Sequence, residues 1–436
     1  MTVRRRVVVV GAGSAGCVVA DRVGRSGVDD VLVLEAGGAA PPVDLAVLPL
    51  ADPSRVRVHH DRDGTALPRG AGLGGSSAVN GGYFLRAHAC DLAGWARSTW
   101  DPQLVEDVYT SLDGGDAGGG AMAVRRVPDA ELRPRARAFE AAMRRAGHEH
   151  VAGVWPTAGI VRVRLNATGS RRRTAADALL SAAVARPNVT LRVRSPVERI
   201  EIDSETVRSV ILVDGTAIPA DVVVLCAGTI GSATVAARSG VATTMPLAEH
   251  REVLVRSRGV SIGPGPIGPV LQSVVHTDDG FEIRCYEHDF ADHVDGVPRS
   301  GPAIGVAAMR PVGPGSITIA PDGTSDIDLG RPDAAGTARM RALADEVAAM
   351  LDGPDFAGLV VPGSTTVDDT LSTSHHAWGA LPLGSAADWD GRVRGVDGLW
   401  VADAAGLPTP LSSGPHATVM MAASVIGEQV AAAGLS

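Results

Sequence analysis

The sequence predicts an α/β protein. A buried parallel sheet gathers strands from both ends of the chain, and an antiparallel sheet is inserted before the last of them. Three observations carry this prediction. Continuous aliphatic runs at Val7–Val10, VLVL (31–34), VVVL (222–225) and LWV (399–401) are what strands covered on both faces look like. From about 246 to 370 the texture changes to short alternating segments (EVLVRSRGVSI, SVVHT, FEIRCYEH, AIGVAAM and SITIA) broken by Gly, Pro and Asp, which suits an antiparallel sheet with one wet face. The composition agrees. Of 436 residues 45% are hydrophobic but only 3% aromatic, so Val, Leu, Ile and Ala must fill the core of one large α/β unit or two joined domains.

The first element admits two readings. RRRVVVVGAGSAGCVVADR, residues 4–22, has the basic cluster, apolar run and cysteine of an export signal, yet also spells a strand, a glycine turn and a helix. The context decides. Gly11, Gly13 and Gly16 form GxGxxG directly after the strand. The first glycine permits the tight turn, the second lets backbone approach a pyrophosphate, and the third lets the helix sit close to the strand. The helix start at Ser14 and Ala15 then aims its N–H groups at the phosphates. A second strand ends in Glu35, 24 positions after Gly11, near where an acid that bonds a ribose hydroxyl is expected, with Ala36 beside it. Ser14, three before Cys17, stands where a lipoprotein signal carries an aliphatic residue. The stretch therefore predicts a Rossmann-like dinucleotide unit, with Arg4–Arg6 as its charged lead-in.

A second glycine cluster, PRGAGLGGSSAVNGGYF (68–84), suits a loop where backbone meets a flat or anionic ligand; Val79, Tyr83 and Phe84 are too apolar for a free linker. Residues 133–147 have helical spacing, with Phe139, Ala142 and Met143 on one face and Gly147 as the stop. Residues 174–185 predict a helix capped by Thr174. Strands follow in VTLRVRSPVERIEID, ETVRSVILVDG and AIPADVVVLCAG, then a helix at 335–352, the strand GLWVAD and a long closing helix interrupted by Glu428. No apolar run reaches the ~18 residues of a membrane span. The pattern predicts a discontinuous nucleotide-binding domain from 1–245 plus 375–436, with part of 90–170 covering the cofactor, and a substrate domain at 246–374.

A formal charge of −9, from 49 acidic and 40 basic residues, argues against nucleic acid as a partner. Arg171, Arg172 and Arg173 read as a solvated loop or helix start. Cys17, Cys90, Cys226 and Cys285 show no CxxC spacing, so neither a metal site nor a disulfide framework is expected. They read as small buried residues of a cytoplasmic protein.

Four pieces in order resemble the glucose–methanol–choline flavin oxidoreductases over nearly the whole chain: GAGSAG with Glu35; PRGAGLGGSSAVNG; VVLCAGTIGSATVAARSGVA; and SHHAWGALPLG followed by GVDGLWVADAAGLPTPLSSGPHATVMM. The resemblance implies FAD, a Rossmann-like FAD-binding domain with an inserted antiparallel-sheet substrate domain, and oxidation of an alcohol to a carbonyl by hydride transfer to flavin N5. It implies that His376 is the base and His416 the second catalytic position. Histidine, with an ordinary pKa near about 6.5, suits the proton transfer. His375 is the rival, but in a strand its side chain would point the other way. Trp378 reads equally as pocket lining or packing.

The resemblance also implies the cofactor contacts. Gly11, Gly13, Ser14, Ala15 and Gly16 meet the pyrophosphate, and Glu35 and Ala36 meet the adenosine ribose. Arg69, Gly70, Leu73, Gly74, Gly75, Ser76, Asn80 and Gly81 pass the flavin and ribityl chain. Val197 meets adenine through its backbone. Ala227 and Gly228 follow a strand end, Asp403 and Ala404 lie at the pyrophosphate and ribityl, and Gly414, Pro415 and His416 approach the isoalloxazine. Val79 stands where some relatives tether the flavin through histidine, which implies non-covalent FAD. Ala71, Ala233 and Ala380 depart from the family pattern, and the short chain implies reduced loops over the substrate. The expected partners are a small-molecule alcohol, or a reduced redox carrier, and an electron acceptor that no motif specifies. Two further readings stand beside the alcohol dehydrogenase or oxidase. One is a non-redox hydroxynitrile-lyase-like enzyme on the same scaffold. The other is suggested by the Ala-, Arg- and Val-rich composition and short length, which resemble members linked to the peptide cofactor mycofactocin, whose reduced form would be the alcohol oxidised.

Overall fold

The computed structural model describes residues 4–39, 41–96, 98–260, 267–310, 313–408 and 410–434. Its centre is a parallel sheet with Arg6–Val10 in the middle. Asp30–Leu34 and then Val189–Arg192 lie on one side, Val222–Leu225 and then Leu399–Val401 on the other. The two ends of the chain thus meet through one intervening strand. Val7–Val10 and Val222–Leu225 are all buried, as continuous β-branched runs in a doubly covered sheet should be. The basic lead-in is tied down: Arg4 pairs with Asp30, Arg5 with Asp29 and Arg6 with Asp221.

The helix Ser14–Arg25 packs against the closing helix His416–Ala432 closely enough that a Cβ on Gly427 would lie 2.9 Å from Arg22 Cβ. The closing helix is buried from Ala417 through Gly427, because the helix Pro102–Asp113 also covers it, with Tyr109 Oη and Thr418 Oγ1 3.0 Å apart. Glu428 sits at its exposed edge, 3.4 Å from Arg22.

The second sheet is antiparallel. Arg251–Arg256, Ala303–Ala308, Phe281–Tyr286 and Leu271–His276 run in that order, with Gly159–Arg162 beyond the last and Thr366–Val367 and Ser372–Thr373 on the first. SITIA does not join it; Gly315–Ile319 pairs instead with Thr244–Leu247 and Ser325–Asp328. The last two residues of EVLVRSRGVSI, 261–262, lie outside the described residues.

The expected wet face is not there. One face, with Val253, Val255, Phe281, Ile283, Ile304 and Val306, packs under the helices Pro134–Arg145 and Ala334–Leu351. The other carries Glu252, His276, Glu282 and Arg284, each no more than 4% exposed. The alternation is real, but the polar row meets a polar interior rather than water. Period-two patterning separates two chemistries and does not say which side is wet.

Two local readings hold and two fail. Thr174 Oγ1 accepts from Asp177 N (3.1 Å) while the Asp177 carboxylate accepts from Thr174 N (3.2 Å), a reciprocal cap. The helix it opens begins as a π-helical turn, Ala176–Leu180. Helix Pro134–Arg145 buries Phe139, Ala142 and Met143, and Gly147 follows at φ +96°. Arg172 is not solvated. It is buried, and its guanidinium donates to the carbonyls of Val47, Ala78 and Asn80, holding the second glycine cluster. Cys90 is exposed, whereas the other three cysteines are buried, and all four are unpaired.

Candidate active site

The first glycine turn is built by exclusion. Gly11 has φ +102°, and a Cβ there would stand 2.5 Å from the Cys226 carbonyl oxygen. A Cβ on Gly16 would stand 1.8 Å from the Gly11 oxygen. At Gly13, which is half-buried, a Cβ would make only ordinary contacts, the nearest 3.8 Å away at Gly75 Cα. The helix that starts at Ser14 has neither a side-chain cap nor an acid in its first turn. Its leading N–H groups are therefore available to an anion. Gly16→Ala, which would push against the Gly11 carbonyl and Cys226 Cβ, is expected to cost about 2–3 kcal/mol; denaturant unfolding measures it.

The second glycine turn docks on the first. Gly74 N donates to Ala12 O (2.8 Å), and Gly75, at φ +52°, would place a Cβ 2.8 Å from Gly13 Cα. Strand residue Gly70 is pressed against Gly75, where a Cβ would lie 2.2 Å from the carbonyl oxygen. Glu35 joins the two turns: its carboxylate accepts from Ala12 N (2.8 Å), Gly37 N (2.7 Å) and Gly72 N (2.9 Å). Three of its roughly four acceptor positions are thus occupied by backbone. Asn80 Oδ1 accepts from Gly82 N (2.9 Å). Ser76 is exposed, and Leu73, Asn80 and Gly81 are half-buried along the same loop.

The remaining expected cofactor residues gather at the same edge of the parallel sheet, beyond its strand ends. Arg194 N donates to Gly37 O and Ser195 N to Glu35 O (both 2.8 Å), which brings Val197 beside Glu35 and the half-buried Ala36. Ala227 is exposed and Gly228 half-buried after Val222–Leu225. Asp403 Oδ2 accepts from Gly228 N (2.7 Å) and Ser232 Oγ (2.6 Å), and Oδ1 accepts from Ala405 N (2.8 Å). Burial pushes its carboxyl up to about 6. Asp403 therefore ties two strand-end loops together, with the half-buried Ala404 next to it. This edge is where doubly wound sheets place their ligands.

The histidines lie where this edge meets the antiparallel sheet. His376 N donates to the Glu249 carboxylate (2.8 and 3.0 Å). Its ring lies against Gly414, where a Cβ would be 3.5 Å from Cε1 and 3.6 Å from Nε2, two residues before His416. Pro415 and His416 are half-buried at the uncapped start of the closing helix. Both ring nitrogens of His416 are buried with no hydrogen-bond partner among the described residues, and its ring meets Phe84 edge-on at 5.2 Å. A buried imidazole with neither nitrogen satisfied is costly unless a ligand completes it.

His375 is not in a strand, so the alternation argument against it does not apply. It sits in a bend at φ +61° with its side chain exposed. Trp378 is packing: it is 1% exposed, and its ring lies 4.6 Å from that of His250. Arg69 is half-buried 3.9 Å from Glu249.

Sequence reasoning missed the residues around His376. His250, fully buried, places Nδ1 2.9 Å from His376 Nδ1. Arg284 bonds Glu252 (2.8 Å), Glu282 (2.5 Å) and Ser374 Oγ (2.6 Å). Tyr286 Oη donates to Glu252 (2.8 Å) and Tyr83 Oη to Glu282 (3.3 Å). The polar row of FEIRCYEH was the available signal.

Burial holds these imidazoles neutral. His416 is pushed down to about 4 and His250 to about 3, and His376 falls well below its ordinary value through burial first and then His250 and Arg284. In the unfolded chain each titrates near about 6.5. Their contribution to stability is therefore complete above about pH 6.5 and is lost as pH falls towards about 4 and about 3, because only the unfolded state gains protons there. Each group is expected to remove on the order of 1 kcal/mol per pH unit, read from melting of the apoprotein between pH 7 and 4.

The fit to a phosphate-bearing flat cofactor rests on the glycine turn at Gly11–Gly16, the uncapped helix it opens and the orphaned His416 nitrogens. Comparison with known proteins agrees. The family model GMC oxidoreductase matches in two parts, residues 6–273 and 313–423. A GMC-type oxidoreductase of Rhodococcus erythropolis is 32% identical over 95% of this chain and 96% of its own. Pyridoxine 4-oxidase of Microbacterium luteolum is 28% identical over 95% and 97%. Among solved structures, pyridoxine 4-oxidase from Mesorbium loti superposes with a TM-score of 0.84 over 98% of this chain and 99% of that one, at 23% identity. The chain belongs to the GMC oxidoreductases, FAD flavoproteins that act on CH–OH donors.

Proposed function

We propose that this chain oxidises the hydroxyl of a small-molecule alcohol to a carbonyl, with FAD held non-covalently across the two glycine turns. The observation that carries the reading is a pair of neutral imidazoles: His376, whose Nδ1 is engaged by His250 while Nε2 lies beside Gly414, and His416, whose two nitrogens have no partner among the described residues. When bound, FAD supplies the two-electron acceptor that takes up hydride at N5. His376 Nε2 takes the hydroxyl proton. His416 donates a hydrogen bond to the oxygen as negative charge develops there. Phe84 and Trp378, both buried, exclude bulk water from the pair. The uncapped helix at Ser14 and the glycine turn before it would hold the pyrophosphate. Val79 is buried and offers no nucleophile for a flavin tether.

Residues 246–374 are assigned to the substrate side and 1–245 plus 375–436 to the FAD side. Pyridoxine 4-oxidases, similar over almost the whole chain, act on a small alcohol, which supports that substrate class. No helix among the described residues is long and apolar enough to cross a membrane. The unpaired cysteines fit a reducing cytoplasm.

Anaerobic mixing of the FAD-loaded protein with a panel of primary and secondary alcohols tests the reading. At least one is expected to bleach the visible flavin band. Bleaching by none, together with cleavage of a cyanohydrin, would replace oxidation by the lyase reading. Bleaching by reduced mycofactocin with weak response to simple alcohols would narrow the substrate to that carrier. Reoxidation with dioxygen and with quinones identifies the acceptor.

A further inference from the structure

We propose that His250 is a positioning residue that fixes the proton of His376 on Nδ1, and so leaves Nε2 as the basic edge beside Gly414. This rests on the assignment of His376 as the base. His250 Nε2 lies 2.8 Å from the Leu411 carbonyl oxygen. A carbonyl only accepts, so Nε2 of His250 carries the hydrogen. A neutral imidazole has one donor and one acceptor nitrogen, so Nδ1 of His250 is an acceptor. The 2.9 Å contact between the two Nδ1 atoms needs one hydrogen, and only His376 can supply it. Nε2 of His376 then holds a lone pair, beside Gly414.

Neutrality of His250 is secured by its surroundings. It is fully buried, and Arg284 and Glu282 are the charged groups that face it. Burial, followed by Arg284, holds it at about 3, so it keeps a single ring proton at neutral pH.

The geometry is held from several sides. The two imidazoles meet at 87°, and Trp378 packs on His250. Ala248 and Trp378 exchange both backbone hydrogen bonds (2.9 and 3.0 Å), and Ser374 N donates to His250 O (3.0 Å). Adjacent residues thus grip His376 at both ends, Glu249 by its backbone N–H and His250 by its ring. An acidic partner would favour imidazolium. A neutral acceptor orients the ring and leaves it uncharged, ready to take a proton.

Nitrogen-15 NMR of the oxidised FAD-loaded enzyme, labelled at histidine, reads the tautomer directly. The His376 signals are assigned by their loss in His376→Ala. The wild type is expected to carry hydrogen on Nδ1 and none on Nε2. His250→Asn keeps an acceptor near the Nδ1 position and is expected to keep that tautomer, with flavin reduction slowed less than about tenfold. His250→Phe keeps the ring but not the acceptor. It is expected to move hydrogen to Nε2 and to slow flavin reduction by roughly 10²–10⁴-fold, the cost of losing a general base. Hydrogen on Nε2 in the wild type, equal losses in the Asn and Phe variants, or a Phe variant with unchanged tautomer would each overturn the proposal. If His250→Phe does not fold, the wild-type spectrum and the Asn variant decide. Unimpaired flavin reduction by His376→Ala would remove the base assignment and leave the tautomer result standing, so the two failures are distinguishable.

Discussion

His376→Ala is expected to lower the rate constant for anaerobic flavin reduction by substrate at least about 10²–10⁴-fold, while the protein stays yellow. Hydride cannot leave an alcohol carbon cheaply while the hydroxyl proton remains in place. We assign that proton transfer to His376, held through its backbone by Glu249 and through Nδ1 by His250. FAD retention follows from geometry, because the glycine turns that would hold the phosphates close on one another through Gly74–Ala12 and the Glu35 carboxylate, independently of His376. Stopped-flow reduction with the preferred alcohol measures the loss. A rate equal to wild type would assign the proton transfer elsewhere, with His375 the nearest candidate.

Arg284→Met is expected to destabilise the fold by about 3–5 kcal/mol. Arg284 is fully enclosed between Glu252 and Glu282 on the inner face of the antiparallel sheet, with Ser374 on the same guanidinium. Methionine fills much of the volume but leaves two carboxylates without their cation in a site closed to water. Denaturant unfolding gives the size of the effect. Adding Glu252→Gln to the variant removes one stranded charge and should recover part of the loss, a coupling that a surface ion pair would not show. A change below about 1 kcal/mol would mean that this face is wet after all.

What could be read in advance divides by the range of the information. The glycine turn, its strand and Glu35 are legible from local spacing, and Gly16 is confined by the nearby Gly11 carbonyl, whereas Gly11 is confined by Cys226, more than 200 residues away. Thr174 and Asp177 are the same kind of case. His376 and His416 were legible only through family resemblance, since nothing near either one in sequence marks it as reactive. His250 was not legible. It lies 126 residues from His376, and only the pairing of 248–250 with the segment 374–378 brings the two rings together. The oxygens of Glu35 and Asp403 turn to backbone and hydroxyl donors, which spacing does not foresee. The polar row in 252–286 was visible as period two, yet its burial depends on the opposing loops that carry Tyr83 and Ser374. The positive φ of His375 has no local cause in its residue type, and tertiary packing must hold it.

The most direct measurement is a crystal structure of the oxidised, FAD-loaded protein with an unreactive alcohol analogue. The account predicts the pyrophosphate at Gly13 and Ser14, the isoalloxazine beside Gly414–His416, and the analogue hydroxyl within hydrogen-bond reach of both His376 Nε2 and His416. Electron density that places the flavin ring away from that pair, or the hydroxyl beyond reach of His376, would contradict it.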